Sequence, residues 1–464
     1  FVCLCDVCVI GGGVAGQTLA MALANKGIDV ILCESGKRDF NSKIQTLAEG
    51  QNVGESYYDL DKSRLRLFGG TAAIWGGRCA ELDPIDFEAR DYVPHSGWPI
   101  TKADLDPHYD TVFEGLGLER PSRPGLWTKV GQPKTPFSED ELSVGLWSFD
   151  ENGERFTDTA RGSLKQVRTV LEATLTRLDV DDDGQVTLGH FGNLAGQNVL
   201  VKASHFVLAA GAMETVRLLL GAVPNRPDGF GNAHDQLGRF FMEHPHARGG
   251  QIIPVNAATV LRALPRALRV DGKRYASYIT PSETLQREAG ILNTSLSFGS
   301  RRHEGLKESA SRMAEDKLKH DLPSTKFWRS LYKFRKSIKV KLREWTDPWP
   351  IARKLKKKPD VFGLYAVIRA EQAPNPDSRL TLSNDIDEMG LRRLNFDWQM
   401  AEIDKRSVQV LMDALKREFN RLGWGDVIPA PWLNDPGKLW SFDPLISAHD
   451  IGGYHHMGGT RMSE

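Results

Sequence analysis

The chain has 464 residues, with 60 Lys and Arg against 60 Asp and Glu, and a hydrophobic fraction of 40%. This length predicts two or three folded units. The balanced charge excludes a global field that would attract nucleic acid, and no apolar run is long enough to span a bilayer. Three of the five cysteines, Cys3, Cys5 and Cys8, crowd the first strand without a fourth ligand, so we expect free thiols and no metal site.

Those thiols are typical of a reducing compartment, and the start of the chain has no secretory pattern. Both features favour a cytoplasmic protein. Because the sequence starts at Phe1, an export signal upstream stays open.

The first segment with chemistry is 6–36. A short β-branched run at 7–10 predicts a buried parallel strand, followed by a helix over about 17–26 and a second strand over 29–33. Between strand and helix lie Gly11, which makes the tight turn, Gly13, which allows a pyrophosphate to approach, and Gly16, which allows close packing. Glu34 is placed to accept from ribose hydroxyls, which disfavours NADP. The pattern predicts a dinucleotide site and leaves FAD and NAD open; its candidate contacts are Gly11, Gly13, Val14, Ala15, Gly16, Glu34 and Ser35.

A second glycine-dense segment, 64–100, contains Gly69-Gly70-Thr71 and Trp75-Gly76-Gly77 between large apolar residues. Composition alone favours a surface loop. The stretch resembles the signature loop of the glucose–methanol–choline (GMC) oxidoreductases, which lines the pyrophosphate and the flavin ring. Trp75 and the Ser96-Gly97-Trp98-Pro99-Ile100 segment are most similar to the pyranose-oxidase-like and bacterial sugar-dehydrogenase branch. This resemblance implies FAD; because Ile74 stands where some members attach FAD through a histidine, it implies non-covalent FAD.

Further segments resemble this family in the same order along nearly the whole chain: 207–220, 238–245 and 376–382. Segment 168–178 is similar to the strand whose backbone meets the adenine. The resemblance implies an α/β Rossmann-like FAD-binding domain and an α+β substrate-binding domain with a mainly antiparallel sheet. It also implies the remaining FAD contacts, namely Arg66, Gly69, Gly70, Thr71, Trp75, Gly76, Gly77, Leu175, Thr176, Ala210, Gly211 and Glu214.

The expected FAD-binding domain is discontinuous, covering 1–110, 160–245 and 435–464, with 111–160 as a covering excursion. The substrate domain is expected over 246–435, with strands near 361–370 and 379–382 and a long amphipathic helix over 404–422. Within it, 301–360 holds 19 Lys and Arg against eight Asp and Glu. Helical spacing of apolar residues over 325–345 predicts a basic amphipathic helix, either packed on its own domain or lying on a membrane or partner surface.

The last segment, 452–464, carries His455 and His456 before a Gly–Thr stretch. In the family a histidine at this place faces the flavin, so the resemblance implies His455 as the catalytic base, for which imidazole is suited at working pH. Family members continue for several tens of residues beyond this motif, where a second catalytic His or Asn is expected. Gln372 and His456 are candidate substrate contacts, although His456 points elsewhere and is structural if His455 faces the ring.

The expected activity is FAD-dependent oxidation of a secondary alcohol on a sugar or glycoside, with hydride transfer to flavin N5. Oxygen, a quinone or a cytochrome stay open as electron acceptors. The alternatives are oxidation of a lipidic or aromatic alcohol, a redox-neutral lyase of the same fold, and a non-catalytic subunit.

Overall fold

The computed structural model describes residues 2–121, 126–127, 136–151, 156, 164–224, 226–265, 268–302, 361–442 and 451–462. Apart from residues 301 and 302, the basic insertion predicted over 301–360 lies outside these ranges, as does its helix over 325–345. No helix within the described ranges is long and apolar enough to cross a membrane.

The structure contains two large sheets and one small one. Their strands are β1 (Val2–Ile10), β2 (Val30–Glu34), β3 (Gly50–Asn52), β4 (Arg78–Cys79), β5 (Leu142–Phe149), β6 (Arg168–Leu171), β7 (Thr174–Val180), β8 (Val186–Gly192), β9 (Asn198–Leu208), β10 (His246–Pro254), β11 (Leu268–Val270), β12 (Lys273–Pro281), β13 (Ser295–Arg302), β14 (Val361–Arg369), β15 (Arg379–Ile386), β16 (Arg392–Asp397) and β17 (Gly425–Pro429). The described α-helices are Val14–Ala24, Ser42–Gln45, Leu60–Ser63, Lys102–Gly115, Ala212–Gly221, Ala257–Ala263, Glu283–Ala289 and Glu402–Leu422.

The first sheet has the order β6-β2-β1-β9-β8-β7. Strands β6, β2, β1 and β9 are parallel, and β8 and β7 add an antiparallel pair. All five residues of β2 are buried, as expected for a central parallel strand covered on both faces. The strand predicted at 7–10 extends back to Val2 because β9 continues alongside it, pairing Val2 with Leu200.

The second sheet has the order β17-β10-β14-β13-β12-β5-β4, and its neighbouring strands are antiparallel. The helix Glu402–Leu422 packs against one face and buries Val408, Leu411 and Leu415 in the same apolar cluster as Leu296 and Ile368. The sequence prediction of a helix over 404–422 and of strands near 361–370 and 379–382 is therefore confirmed. Both fold components, an α/β unit and an α+β unit with a mainly antiparallel sheet, agree with the expected fold class.

One part of the predicted covering excursion, 111–160, has a different role in the structure. Strand β5, within that range, pairs with β12 over seven residues and belongs to the second sheet. Alternation of buried and open positions along Leu142–Phe149 is the local signal for this strand. The domain boundaries themselves stay a prediction.

A small sheet, β15-β16-β3, connects distant parts of the chain. Strand β16 pairs parallel with β3, so residue 50 lies beside Leu394. Beneath it, Phe396 and the fully buried Trp398 share a cluster with Tyr57 and Phe241. This cluster packs against the segment 238–246 through Phe241.

Candidate active site

The first glycine-rich turn lies between β1 and the helix Val14–Ala24. Gly11 has φ of 110°, and a Cβ there would lie 2.5 Å from the carbonyl oxygen of Ala209. A Cβ on Gly16 would overlap the carbonyl oxygen of Gly11, whereas a Cβ on Gly13 would have nothing within 4 Å. The protein's own packing thus requires Gly11 and Gly16, while Gly13 borders open space beside a helix N-terminus. Such a terminus presents free N–H groups to a phosphate.

Two further predicted segments meet this turn. The amide of Gly69 donates to the carbonyl oxygen of Gly12 over 2.8 Å, and a Cβ on Gly70 would lie 3.4 Å from the Cα of Gly13. Gly211, which follows the neighbouring strand β9, has φ of 82°, and a Cβ there would also meet nothing within 4 Å. Gly13 and Gly70 therefore leave free backbone close together, and Gly211 leaves free backbone after the neighbouring strand. Free backbone of this kind is what close approach of a pyrophosphate needs.

Glu34 closes this region at the end of β2. Its Oε2 accepts from the Gly12 amide at 2.7 Å and its Oε1 from the Gly36 amide at 2.6 Å. Only 6% of Glu34 is exposed, and burial raises the pKa of its carboxyl, against the lowering effect of these two amides. Each carboxylate oxygen has a second lone pair, so Glu34 can still accept from ribose hydroxyls.

The predicted adenine-side contacts, Leu175 and Thr176, are not the residues beside Glu34. Leu175 is 2% exposed, and the Thr176 hydroxyl donates to the carbonyl oxygen of His190. It is Ala173 whose amide donates to the Glu34 carbonyl, over 2.9 Å, and Thr174 whose hydroxyl lies 2.7 Å from that of Ser35. The signal that was missed is the break between β6 and β7, where Glu172 takes φ of 56°.

Arg66 and Glu214 belong to a buried ionic cluster behind the turn. Glu214 pairs with Arg66 and with Arg217, and more distantly with Arg64 at 3.5 Å. Burial acts to raise the pKa of Glu214, but Arg66, Arg217 and Arg64 outweigh it and lower the pKa to about 2. Arg66 also donates to the Ser35 hydroxyl at 2.9 Å. Glu214 is therefore buried and holds Arg66 in position. Direct contact of Glu214 with FAD stays a prediction.

Hydrogen bonds and a ring contact hold the Trp75 loop in place. The Thr71 hydroxyl accepts from the Leu65 amide at 3.1 Å, and Gly77 pairs with Asp150 through a 2.7 Å backbone bond. The Trp75 ring lies 6.4 Å from the ring of Phe156, whose carbonyl oxygen accepts from the Gln17 amide group. Gly76 and Ile74 lie on either side of Trp75. Non-covalent attachment of FAD stays a prediction.

His455 reaches its place because two segments pair with each other. Met242 and Met457 exchange backbone hydrogen bonds of 2.9 and 3.0 Å, and the backbone amide of His246 donates to the Ile451 carbonyl at 2.8 Å. This antiparallel pairing sets the His455 ring beside that of His244, with Nδ1 of His455 2.7 Å from Nε2 of His244. From the sequence alone, His244 and His246 are interpreted as packing or loop residues. Contact with His455 could not be read from a separation of 211 residues.

Both rings are held in the neutral form. Burial lowers the pKa of His244 well below its usual value, and nearby His246 and His455 lower it further. Desolvation also lowers the pKa of His455, with smaller contributions from Arg78 and Arg369, although one side of His455 keeps an exposed surface. A neutral imidazole with an open edge is a competent general base.

His456 points away from this pair. Its Nε2 lies 2.8 Å from the Tyr57 hydroxyl, which donates to Oε2 of Glu243 at 2.8 Å. Burial lowers the pKa of His456 to about 3, so its neutral Nε2–H donates to Tyr57. Oε1 of Glu243 in turn accepts the backbone amides of His244 and His455 at 2.9 and 3.1 Å. The network fixes the backbone under both site histidines, which agrees with the structural reading of His456.

Gln372, the other candidate substrate contact, is 3% exposed. Its Oε1 accepts from the Glu243 amide at 3.0 Å and from the Trp398 indole at 2.9 Å, while its Nε2 donates to the Gln399 carbonyl at 2.7 Å. Glu371, its neighbour, forms a two-pronged pair with Arg90. The structure therefore places Gln372 in the interior as a cross-link, and contact of Gln372 with a substrate stays a prediction. Among the described residues no cluster could hold a metal ion.

The comparisons agree with this geometry. Residues 6–303 match the family model described as FAD dependent oxidoreductase. Among curated relatives, 6'''-hydroxyparomomycin C oxidase of Streptomyces lividus is 27% identical over 50% of this chain and 53% of its own length. Paromamine 6'-oxidase of Streptomyces fradiae is 27% identical over 50% of this chain and 52% of its own. The chain thus spans about half the length of these curated relatives.

A solved structure of pyridoxine 4-oxidase from Mesorbium loti shares the fold, with a TM-score of 0.52 at 17% identity, over 99% of this chain and 89% of that chain. The glycines around Gly13 and the fixed carboxylate of Glu34 suit the dinucleotide that the matched family binds. FAD is accordingly the cofactor, and the chain belongs to the FAD dependent oxidoreductase family.

Proposed function

We propose that this enzyme oxidises a CH–OH group of a sugar or glycoside to a carbonyl, with His455 as the base that takes the hydroxyl proton. The observation that carries the proposal is the neutral His455–His244 pair at the end of the paired segments 242–246 and 451–457. Bound FAD supplies the hydride acceptor.

The protonation states of the pair follow from its geometry. For Nε2 of His455 to accept a proton, its Nδ1 must carry hydrogen and donate to Nε2 of His244. His244 must then carry its own hydrogen on Nδ1, which is buried without a hydrogen-bond partner among the described residues. Once His455 is protonated, the same 2.7 Å bond continues to stabilise it. His244 is therefore a positioning residue that selects the base-competent tautomer.

The substrate class is supported by the names of the relatives, which describe oxidases of paromomycin-type and paromamine compounds. It is supported also by Trp75 and the 96–100 segment, which resemble the pyranose-oxidase-like branch. A second catalytic His or Asn, an electron acceptor that is oxygen, a quinone or a cytochrome, and a cytoplasmic location belong to the same proposal.

The test is an anaerobic absorbance titration of the full-length flavoprotein with neutral sugars, glycosides, lipidic alcohols and aromatic alcohols. We expect a sugar or glycoside to bleach the flavin, and His455→Ala to slow bleaching by about 10²–10⁴-fold, the range for a lost general base. His108→Ala, which changes an exposed histidine in the helix Lys102–Gly115, is the matched control. Bleaching by lipidic or aromatic alcohols alone would refute the substrate class, and a flavin that no alcohol reduces would favour a redox-neutral enzyme.

A further inference from the structure

The open face of the second sheet carries a distinct set of side chains. Along β5, β12, β13 and β14, alternate residues such as Leu146, Ile279 and Leu296 point toward the helix Glu402–Leu422 or neighbouring apolar groups. Because strand side chains alternate, the residues between them face the other way. On that opposite face lie Trp147, Tyr278, Ser297 and Arg369, with the rings of Trp147 and Tyr278 stacked at 4.8 Å.

Arg369 has no acidic partner among the described residues. Its Nη1 donates to the Ser297 hydroxyl at 3.0 Å, and its guanidinium lies 5.2 Å from the centre of the Trp147 ring. Burial lowers the pKa of Arg369 to about 10. Arg369 is partly buried, and a cation withdrawn from water is normally paired, since removing a charge from water without a counter-charge is unfavourable. The missing counter-charge is the feature that needs an explanation.

Arg369 lies close to the histidine pair. It is the register partner of His246, whose ring centre is 5.0 Å from that of His244, and the His244 and His455 rings are 4.5 Å apart. The guanidinium of Arg78 approaches the same Trp147 ring from the neighbouring strand, at 5.5 Å. Arg369 is close enough to the proposed base to lower the pKa of His455, so an anionic group held by Arg369 would lie near that base.

The carboxylates near this face are already engaged elsewhere. Glu371 is held by Arg90 and by the Asn293 amide. Glu243 lies beneath the histidines and accepts from Tyr57 and two backbone amides. Asp83 and Asp86 accept from the Asn293 side chain. None of these carboxylates is paired with Arg369.

We propose that Arg369, with Ser297, binds a carboxylate of the substrate, so that the preferred substrate is an acidic sugar rather than a neutral or amino sugar. This inference rests on the proposed function. The carboxylate is not consumed: the oxidised carbon loses a hydride to the bound flavin and its hydroxyl loses a proton to His455. A guanidinium matches a carboxylate in shape and charge, and the Trp147 and Tyr278 rings offer an apolar wall for the sugar ring.

The experiment compares methyl glucoside, methyl glucuronide and methyl glucosaminide, which share one ring and differ in charge. In the wild-type holoenzyme we expect kcat/KM for the glucuronide to exceed the other two by tenfold or more. Arg369→Met should remove that preference by raising KM for the glucuronide at least tenfold more than it raises KM for the glucoside. Arg369→Lys should restore part of the preference, and Arg177→Met, at an exposed position of β7, should leave it intact.

Two results would overturn the inference. One is a wild-type preference for the glucoside or glucosaminide; the other is an Arg369→Met variant that slows all three substrates equally, which would assign the charge to the flavin or the base. The preference can also be measured without turnover and without a variant. Glucuronide and glucoside are bound to the oxidised holoenzyme, and their affinities are compared through the change that each causes in the flavin absorbance spectrum. Equal binding of glucuronide and glucoside there also refutes the anion site. If a neutral sugar still bleaches the flavin, the proposed function survives that refutation.

Discussion

Replacing Gln372 by leucine distinguishes an interior cross-link from a substrate contact. The change removes the acceptor for the Glu243 amide and the Trp398 indole, and the donor to the Gln399 carbonyl. Each buried polar group left unsatisfied costs about 1–3 kcal/mol, so two donors and one acceptor amount to about 3–9 kcal/mol before relaxation. The leucine side chain recovers about 1–2 kcal/mol through apolar burial. We therefore expect the free energy of unfolding to fall by at least about 1 kcal/mol.

The assay is urea unfolding of the holoenzyme, followed by tryptophan fluorescence and flavin release, together with KM for the best substrate. Gln185→Leu, at an exposed turn position before β8, is the matched control and should change stability by less than about 0.5 kcal/mol. If Gln372→Leu kept wild-type stability and raised KM instead, Gln372 would be a substrate contact, and its placement as a cross-link would be wrong.

Three further outcomes are expected. Because the pKa of His455 lies below its usual 6.5, the neutral base persists to lower pH, so the acid limb of kcat/KM should have an apparent pKa under 6.5; a limb above that value contradicts the assignment. Gly13→Ala should change apoprotein stability by less than about 0.5 kcal/mol, since the added Cβ meets no protein atom within 4 Å. The same variant should weaken FAD binding at least tenfold in a fluorescence titration. Gly115→Ala, in the helix Lys102–Gly115 and equally open, is the control and should not affect FAD binding. The pKa of Glu214 is depressed to about 2, so the stability that Glu214 contributes is complete above its usual pKa of 4.5 and is lost as the pH falls toward 2. Glu214→Gln should therefore lower the free energy of unfolding at pH 7 and reduce its fall between pH 4.5 and pH 2. An unchanged fall over that pH range would refute the arginine cluster.

The dinucleotide turn could be predicted from the sequence because its requirements are local. Gly11, Gly13 and Gly16 lie within six residues, and each answers a steric need that spacing alone expresses. The helix Glu402–Leu422 could be predicted for the same reason, since a 3.6-residue apolar period defines the face that is buried.

The residues that were misplaced depend on contacts between distant segments. Thr174, not Leu175 or Thr176, lies beside Ser35, because segment 168–178, which resembles a single family strand, is divided at Glu172 into β6 and β7. Gln372 has the polarity of a ligand-binding residue, and only the positions of Glu243 and Trp398 show that its amide is already used.

The histidine pair is positioned by packing rather than by any property of its own residues. His244 and His455 meet because Gly458 and Gly459 pack against the 238–241 segment so closely that a Cβ on Gly458 would overlap the Phe240 carbonyl. The same pairing places the Glu243 carboxylate under both backbones. One antiparallel contact therefore sets the positions of His455 and His244 together. For that reason we expect substitutions along 238–246 to change catalysis and substrate charge preference jointly, although none of those residues need touch the substrate.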